Sequence, residues 1–166
     1  MIKEYKGANP NIDESCFVAD SADIIGKVWL SKQSSVWYNC VIRGDVNNIT
    51  IGENTNIQDG TIIHTDGDYP TDIGNNVTIG HKAIIHGCTL KDNVLVGMGA
   101  IVLNGAVVEE NVLIGAGSIV TPGKRFPSGT LVLGAPAKVV RELTEEEINS
   151  IKESSNHYVE LGKNHK

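Results

Sequence analysis

Three histidines, His64, His81 and His86, crowd into one stretch of this chain, apart from His157 and His165 near its end. Three neutral imidazoles can hold a divalent metal and leave a fourth position open for water, the arrangement of catalytic rather than structural sites. A lone histidine is more often a surface or packing residue, so the clustering carries the signal. Arg43, Asp45, Gln58 and Asp59 lie just upstream. A carboxylate among them could hold the far ring nitrogen of a metal ligand, and Gln58 could orient bound water. Equally, Arg43 and Asp45 could form an ion pair that fastens a turn or a subunit contact. Which of these residues meet depends on the elements that carry them.

Those elements are repeats. A Val, Ile or Leu recurs every six residues at Val18, Ile24, Leu30, Val36 and Ile42. The series resumes after a three-residue insertion at Ile51, Ile57 and Ile63, and after a longer one at Ile73, Ile79 and Ile85. One residue is then dropped, and the period runs on through Leu90, Val96, Val102, Val108, Ile114 and Val120. Searching for such a period comes first, because it decides the fold. Each hexad is a short strand plus a turn with its aliphatic pointing inward, and three hexads close one triangular coil. Coils stack as parallel strands about 4.8 Å apart. No hexad buries its apolar side alone, so the array stabilises itself by stacking. The expectation is a mainly β protein, a parallel β-helix from about residue 18 to 133. A sandwich would show alternation of period two and hairpin turns, and neither is prominent.

The register places the histidines. His64 follows Ile63 and His86 follows Ile85, with three hexads between them, so both sit on one edge of the prism, one coil apart. That distance suits two imidazoles on one metal ion. His81, third in the Ile79 hexad, falls at another corner, too far away to complete the site within one chain. A threefold trimer supplies it from a neighbour, which predicts an intersubunit site of three histidines. By the same register Arg43 stacks one coil beneath His64, and Asp59 one coil beneath His81.

After residue 138 the period changes. Thr144-Glu145-Glu146-Glu147 is a capping box, and Ile148, Ile151, Ser155, Tyr158 and Val159 fall on one helical face. These predict a helix over 144–161 packed along the outside of the solenoid, dividing the chain into a β-helix domain, 1–143, and a helix with tail, 144–166. Net charge is −6 with no long Lys/Arg block, which argues against nucleic acid and anionic membrane as partners. No apolar run approaches the roughly 20 residues of a membrane span, and the first residues lack a secretory signal, so the expected compartment is cytoplasmic. The three cysteines, Cys16, Cys40 and Cys88, show no C-x-x-C spacing and read as reduced, packed thiols.

Ile42-Arg43-Gly44-Asp45, Asn56-Ile57-Gln58-Asp59-Gly60, His64 and Gly80-His81-x-x-x-x-His86-Gly87 together resemble the γ-class carbonic anhydrase family. The closer likeness is to its bacterial branch of carbonic anhydrase-like, ferripyochelin-binding and hexapeptide transferase-like proteins. The resemblance covers nearly the whole chain. It implies a left-handed β-helix, a homotrimer, and a metal at each subunit interface held by His64, His81 and His86. The metal is normally zinc, with iron or cobalt as alternatives. It also implies Arg43 and Asp45 as an interfacial pair, Gln58 and Asp59 around metal-bound solvent, and Tyr158 reaching the site from the C-terminal helix. The implied reaction is hydration of carbon dioxide to bicarbonate by a metal-bound hydroxide, since such a cation lowers the pKa of bound water from about 15.7 to about 7.

The chain departs from the family's type member in one respect. The acidic loop with shuttle glutamates is not evident: Val46-Asn47-Asn48 follows Asp45, and after His64 only Asp66 and Asp68 offer carboxylates. Two other functions stay open at this point, an acyl-CoA-dependent acyltransferase, which the repeat alone suggests, and a non-catalytic metal-binding trimeric scaffold.

Overall fold

The computed structural model describes all 166 residues, and the six-residue period is written directly into it as a parallel β-helix. One face stacks the strands Phe17–Val18, Ser35–Val36, Asn56–Ile57, Thr78–Ile79, Leu95–Val96, Leu113–Ile114 and Thr130–Gly134, and Ala137–Glu142 closes its end antiparallel. The other two faces are joined because Asp23–Leu30 and Val41–Ile51 run around the corner between them. The first continues through Ile62–His64, Ile84–His86, Ile101–Val102 and Ile119–Val120. The second continues through Thr71–Ile73, Thr89–Leu90, Val107–Val108 and Arg125–Phe126. We call these the helix-covered, histidine and threonine faces.

The repeat aliphatics form the core. Ile24, Ile42, Ile63, Ile85, Val102 and Val120 stack down the inside of the histidine face, all fully buried. Cys40 and Cys88 are buried in the same core, free of disulfides, and burial pushes their thiols up to about 11 and about 12. Small residues at the fourth position after a repeat aliphatic, such as Ala83, Ala100 and Ala106, fill the corners with no exposed surface.

Three interruptions take definite shapes. At the insertion, Gly26 pairs with Gly44 and Val28 with Ile49, so Lys27 alone faces residues 45–48. Residues 65–70 leave the coil as a loop between His64 and Thr71. At the dropped residue, Ile85 pairs with Val102 and Leu90 with Val108, so four residues, 86–89, face five, 103–107.

Two expectations were too short. The array begins before residue 18: Ile2–Lys3 and Asn11–Ile12 add to the strand Asp23–Leu30. The helix runs Glu145–Asn164, three residues beyond the expected end, behind the capping box of Thr144 and Glu147. Gly162 does not stop it because its missing side chain lets the last turn approach Phe17, whose Cβ would lie 3.2 Å from a Cβ at 162. Ile151, Ser155 and Gly162 are its buried residues. No helix is long and apolar enough to cross a membrane.

Candidate metal centre

His64 and His86 end neighbouring strands of the histidine face and are paired in register. Their imidazoles meet edge to face, with His64 Nδ1 3.1 Å from His86 Nε2. Each ring is held at its far nitrogen. His64 Nε2 lies 3.0 Å from Asp45 Oδ1, and His86 Nδ1 lies 2.6 Å from Asn104 Oδ1. A carboxylate and an amide oxygen can only accept, so both far nitrogens donate, and the facing nitrogens both present lone pairs. Two lone pairs at that separation repel unless a cation lies between them, a proton on one ring or a metal ion. Two nitrogens on one tetrahedral zinc stand about 3.3 Å apart, given Zn–N distances near 2.0–2.1 Å. The donor set therefore fits a divalent metal.

Asp45 belongs to the bulged insertion and is the hub of this edge. Arg43 Nη1 donates to its second oxygen at 2.5 Å. Burial pushes the Asp45 carboxyl up, but the hydrogen bonds from His64 and Arg43 outweigh it and hold it below the usual carboxylate range. An ionised acceptor makes the hydrogen bond from a donating imidazole nitrogen charge-assisted and therefore stronger.

His81 lies at another corner, half-exposed. Its Nδ1 is 2.8 Å from Asp59 Oδ2, the partner the register predicted, and its Nε2 has no partner. Beside it, Gln58 is buried, and its Nε2 donates to Asn56 Oδ1 at 3.1 Å, leaving its carbonyl oxygen free. Asn56 donates in turn to Thr78 Oγ1, which donates to Ser154 of the helix. Tyr158 packs edge-on against Trp37, and partial burial, with the negative charge of Asp59, pushes its hydroxyl up. The phenol stays protonated at neutral pH and can act as a donor.

One chain thus carries two separate polar clusters: His64, His86, Asp45 and Arg43 on one edge, His81, Asp59, Gln58 and Tyr158 on another. Within a single chain no three His, Cys, Asp or Glu side chains stand where they could share a metal ion. Sequence reasoning missed Asn104. Its signal was the mismatch of four residues against five, which leaves Asn104 as the extra residue beside His86.

The model of the family described as bacterial transferase hexapeptide (six repeats) matches residues 87–122, the most regular coils. A Methanocaldococcus jannaschii protein named "Probable carbonic anhydrase" is 59% identical over 150 residues, 90% of this chain and 94% of its own length. Arabidopsis thaliana "Gamma carbonic anhydrase 2, mitochondrial" is 50% identical over 163 residues, and the chain spans 95% of itself but 59% of the plant protein. A solved structure of a Bacillus cereus protein described as a "putative acetyltransferase" matches with a TM-score of 0.98 and 44% identity, covering 99% of this chain and 95% of its own. The hexapeptide coils are thus common to proteins described as transferases and as anhydrases. With 59% identity to the Methanocaldococcus jannaschii protein across nearly its full length and 50% to the plant γ carbonic anhydrase, this chain belongs to the γ-class carbonic anhydrase family.

Proposed function

We propose that the chain catalyses the reversible hydration of carbon dioxide to bicarbonate at a metal site shared between subunits of a homotrimer. His64 and His86 of one subunit and His81 of its neighbour would hold the metal, zinc first, with iron or cobalt as alternatives. The observation that carries this reading is the facing pair of ring nitrogens at 3.1 Å, each ring locked by an acceptor behind it. The unpartnered Nε2 of His81, already oriented by Asp59, is the missing third donor. An open aliphatic row on the histidine face, Val41, Ile62, Ile84, Ile101 and Ile119, supports a neighbouring copy there. Oligomers of this kind close by rotation, and burying such a row drives assembly.

When bound, the cation supplies a Lewis acid that makes water acidic enough to ionise near neutral pH. The chain's own residues do the rest. Asp45, Asn104 and Asp59 fix the tautomers and ring orientations of the three imidazoles. Gln58 offers its free carbonyl oxygen as an acceptor beside His81, and Tyr158 offers a hydroxyl proton. Arg43 balances Asp45, so that carboxylate stays ionised as His64's acceptor. The product proton would leave through Asp66 or Asp68, the carboxylates of the loop that follows His64. A proton path this sparse predicts slow turnover that rises with buffer concentration.

The decisive experiment combines metal content, oligomer mass and hydration rate. Chains carrying His81→Ala and chains carrying both His64→Ala and His86→Ala are each expected to lack metal. Refolded together, they should regain metal and hydration through the mixed interfaces. Metal retained by the His81→Ala trimer, or no recovery on mixing, defeats the intersubunit site. A metal-loaded trimer without hydration above buffer defeats the activity. The 44% identity to the Bacillus cereus protein favours acyl transfer as the second reading. Acetyl-CoA binding in calorimetry that survives chelation would support it.

A further inference from the structure

The loop 65–70 is tied down at both ends to the groups that orient the histidines. At one end Asn47, from the insertion that carries Asp45, donates from Nδ2 to the carbonyls of Asp66 and Gly67 at 3.3 and 3.0 Å. Its backbone N–H donates to Thr65 Oγ1 at 3.1 Å, and Thr71 Oγ1 donates to the His64 carbonyl at 2.6 Å. Asp66 and Tyr69 exchange backbone hydrogen bonds, which makes the loop a closed turn rather than a loose excursion. Two breaks in the repeat, distant by sequence logic, are one hydrogen-bonded unit.

At the other end lies Tyr69. Its side chain runs across two stacked corner glycines. A Cβ on Gly87 would stand 3.0 Å from Tyr69 Cβ and 3.1 Å from Asn104 Oδ1. A Cβ on Gly105 would stand 3.0 Å from Tyr69 Cε1, in the ring itself. Gly87 and Gly105 follow His86 and Asn104, the two ends of the 2.6 Å hydrogen bond. Both glycines have positive φ, but that alone does not demand glycine in this fold. Asn39, Asn54, Asn76, Asn93 and Asn111 all take the same left-handed conformation at other corners, as asparagine tolerates. Beneath Tyr69 an asparagine would collide with the ring.

We infer that Tyr69 is a positioning residue for the metal centre: with its Cβ against Gly87 and its ring seated on Gly105, it covers the Asn104–His86 hydrogen bond and keeps water from competing for it. A hydrogen bond shielded from water is stronger than one left open, and ligand orientation is only as good as the group behind the ligand. The loop then serves both stacked histidines, through Asn47 beside Asp45 and through Tyr69 beside Asn104. It needs no carboxylate for this role.

The inference rests on the metal reading for its consequence but not for its geometry, and the test separates the two. In metal-free protein with 15N-labelled histidine, the His86 Nδ1 proton should give a slowly exchanging NMR signal. Tyr69→Ala should exchange it at least tenfold faster, while Tyr69→Phe should keep the native rate, because the ring and not the hydroxyl makes the contact. In zinc-loaded protein, release to a chromophoric chelator should be about tenfold faster in Tyr69→Ala and unchanged in Tyr69→Phe. Gly105→Asn displaces the ring by a residue already accepted at five similar corners, so it reads the same effect if Tyr69→Ala fails to fold. Native proton exchange in Tyr69→Ala or Gly105→Asn overturns the inference, and so does a Tyr69→Phe variant as impaired as Tyr69→Ala. Failure of the wild type to bind zinc would instead overturn the metal reading, leaving the exchange experiment to judge Tyr69.

Discussion

The histidine and threonine faces are built from the same hexads and bury equivalent inward rows, yet their outward rows differ in kind. In register on the histidine face Asp23 starts the row, and Val41, Ile62, Ile84, Ile101 and Ile119 continue it, with Ile62 45% exposed. On the threonine face stand Trp29, Thr50, Asp72, Thr89, Val107 and Arg125, a mostly polar column in which Thr50 Oγ1 donates to Asp72 at 2.6 Å. Inward residues obey the repeat because every coil must fill the same prism. Outward residues are free of that demand, so their chemistry records what each face meets. The threonine face suits water. The histidine face is apolar next to two half-buried imidazoles, which suits a second protein surface at a metal site.

The sharpest way to break this contrast is to remove a ligand. His86→Ala should abolish metal binding and lower hydration by more than a hundredfold, with the solenoid intact by circular dichroism. Next come the inward rows, where the two faces should not differ. Ile85→Ala and Leu90→Ala, each fully or almost fully buried, should each cost about 2–5 kcal/mol in urea unfolding. A large difference between them would mean that the coils are not equivalent scaffold.

The outward rows should respond unequally. Ile62→Asp is expected to shift the mass measured by light scattering from oligomer to monomer, because a charge desolvated in an apolar interface is costly. Val107→Asp on the threonine face, beside Arg125, should leave the mass unchanged. Equal behaviour of the two variants would sink the assignment of the histidine face as the interface. A smaller effect comes from behind the ligand: Asn104→Ala should weaken zinc binding about 10- to 100-fold without unfolding the chain.

The smallest effect concerns the face that carries the helix. Arg141 and the Thr144 backbone hold the Glu147 carboxyl down at about 2, against an ordinary value of 4.5. A carboxylate with a depressed folded pKa contributes stability above its unfolded value and loses it as the proton binds. Anchoring of the helix should therefore be complete above pH about 4.5 and fade as pH falls toward about 2, read by the fluorescence of Trp37 beneath Tyr158. A Glu147→Gln chain should lack that transition.

Much of this was legible beforehand because a solenoid translates sequence spacing into space. The stacking of His64 on His86, the placing of Asp59 against His81 and the capping box at Thr144 all follow from position within a hexad or a helical turn. Periodicity of this kind is local, so the sequence alone determines which residues point inward and which share an edge. Where the period breaks, it stops informing. That Asn104 slips behind His86, that Asn47 grips the loop after His64, and that Tyr69 lies on Gly87 and Gly105 were decided by the tertiary structure. Those contacts depend on how bulges of unequal length settle against one another and which rotamers the remaining space admits. Only the packed coils determine that, and they do so around the two histidines that face each other.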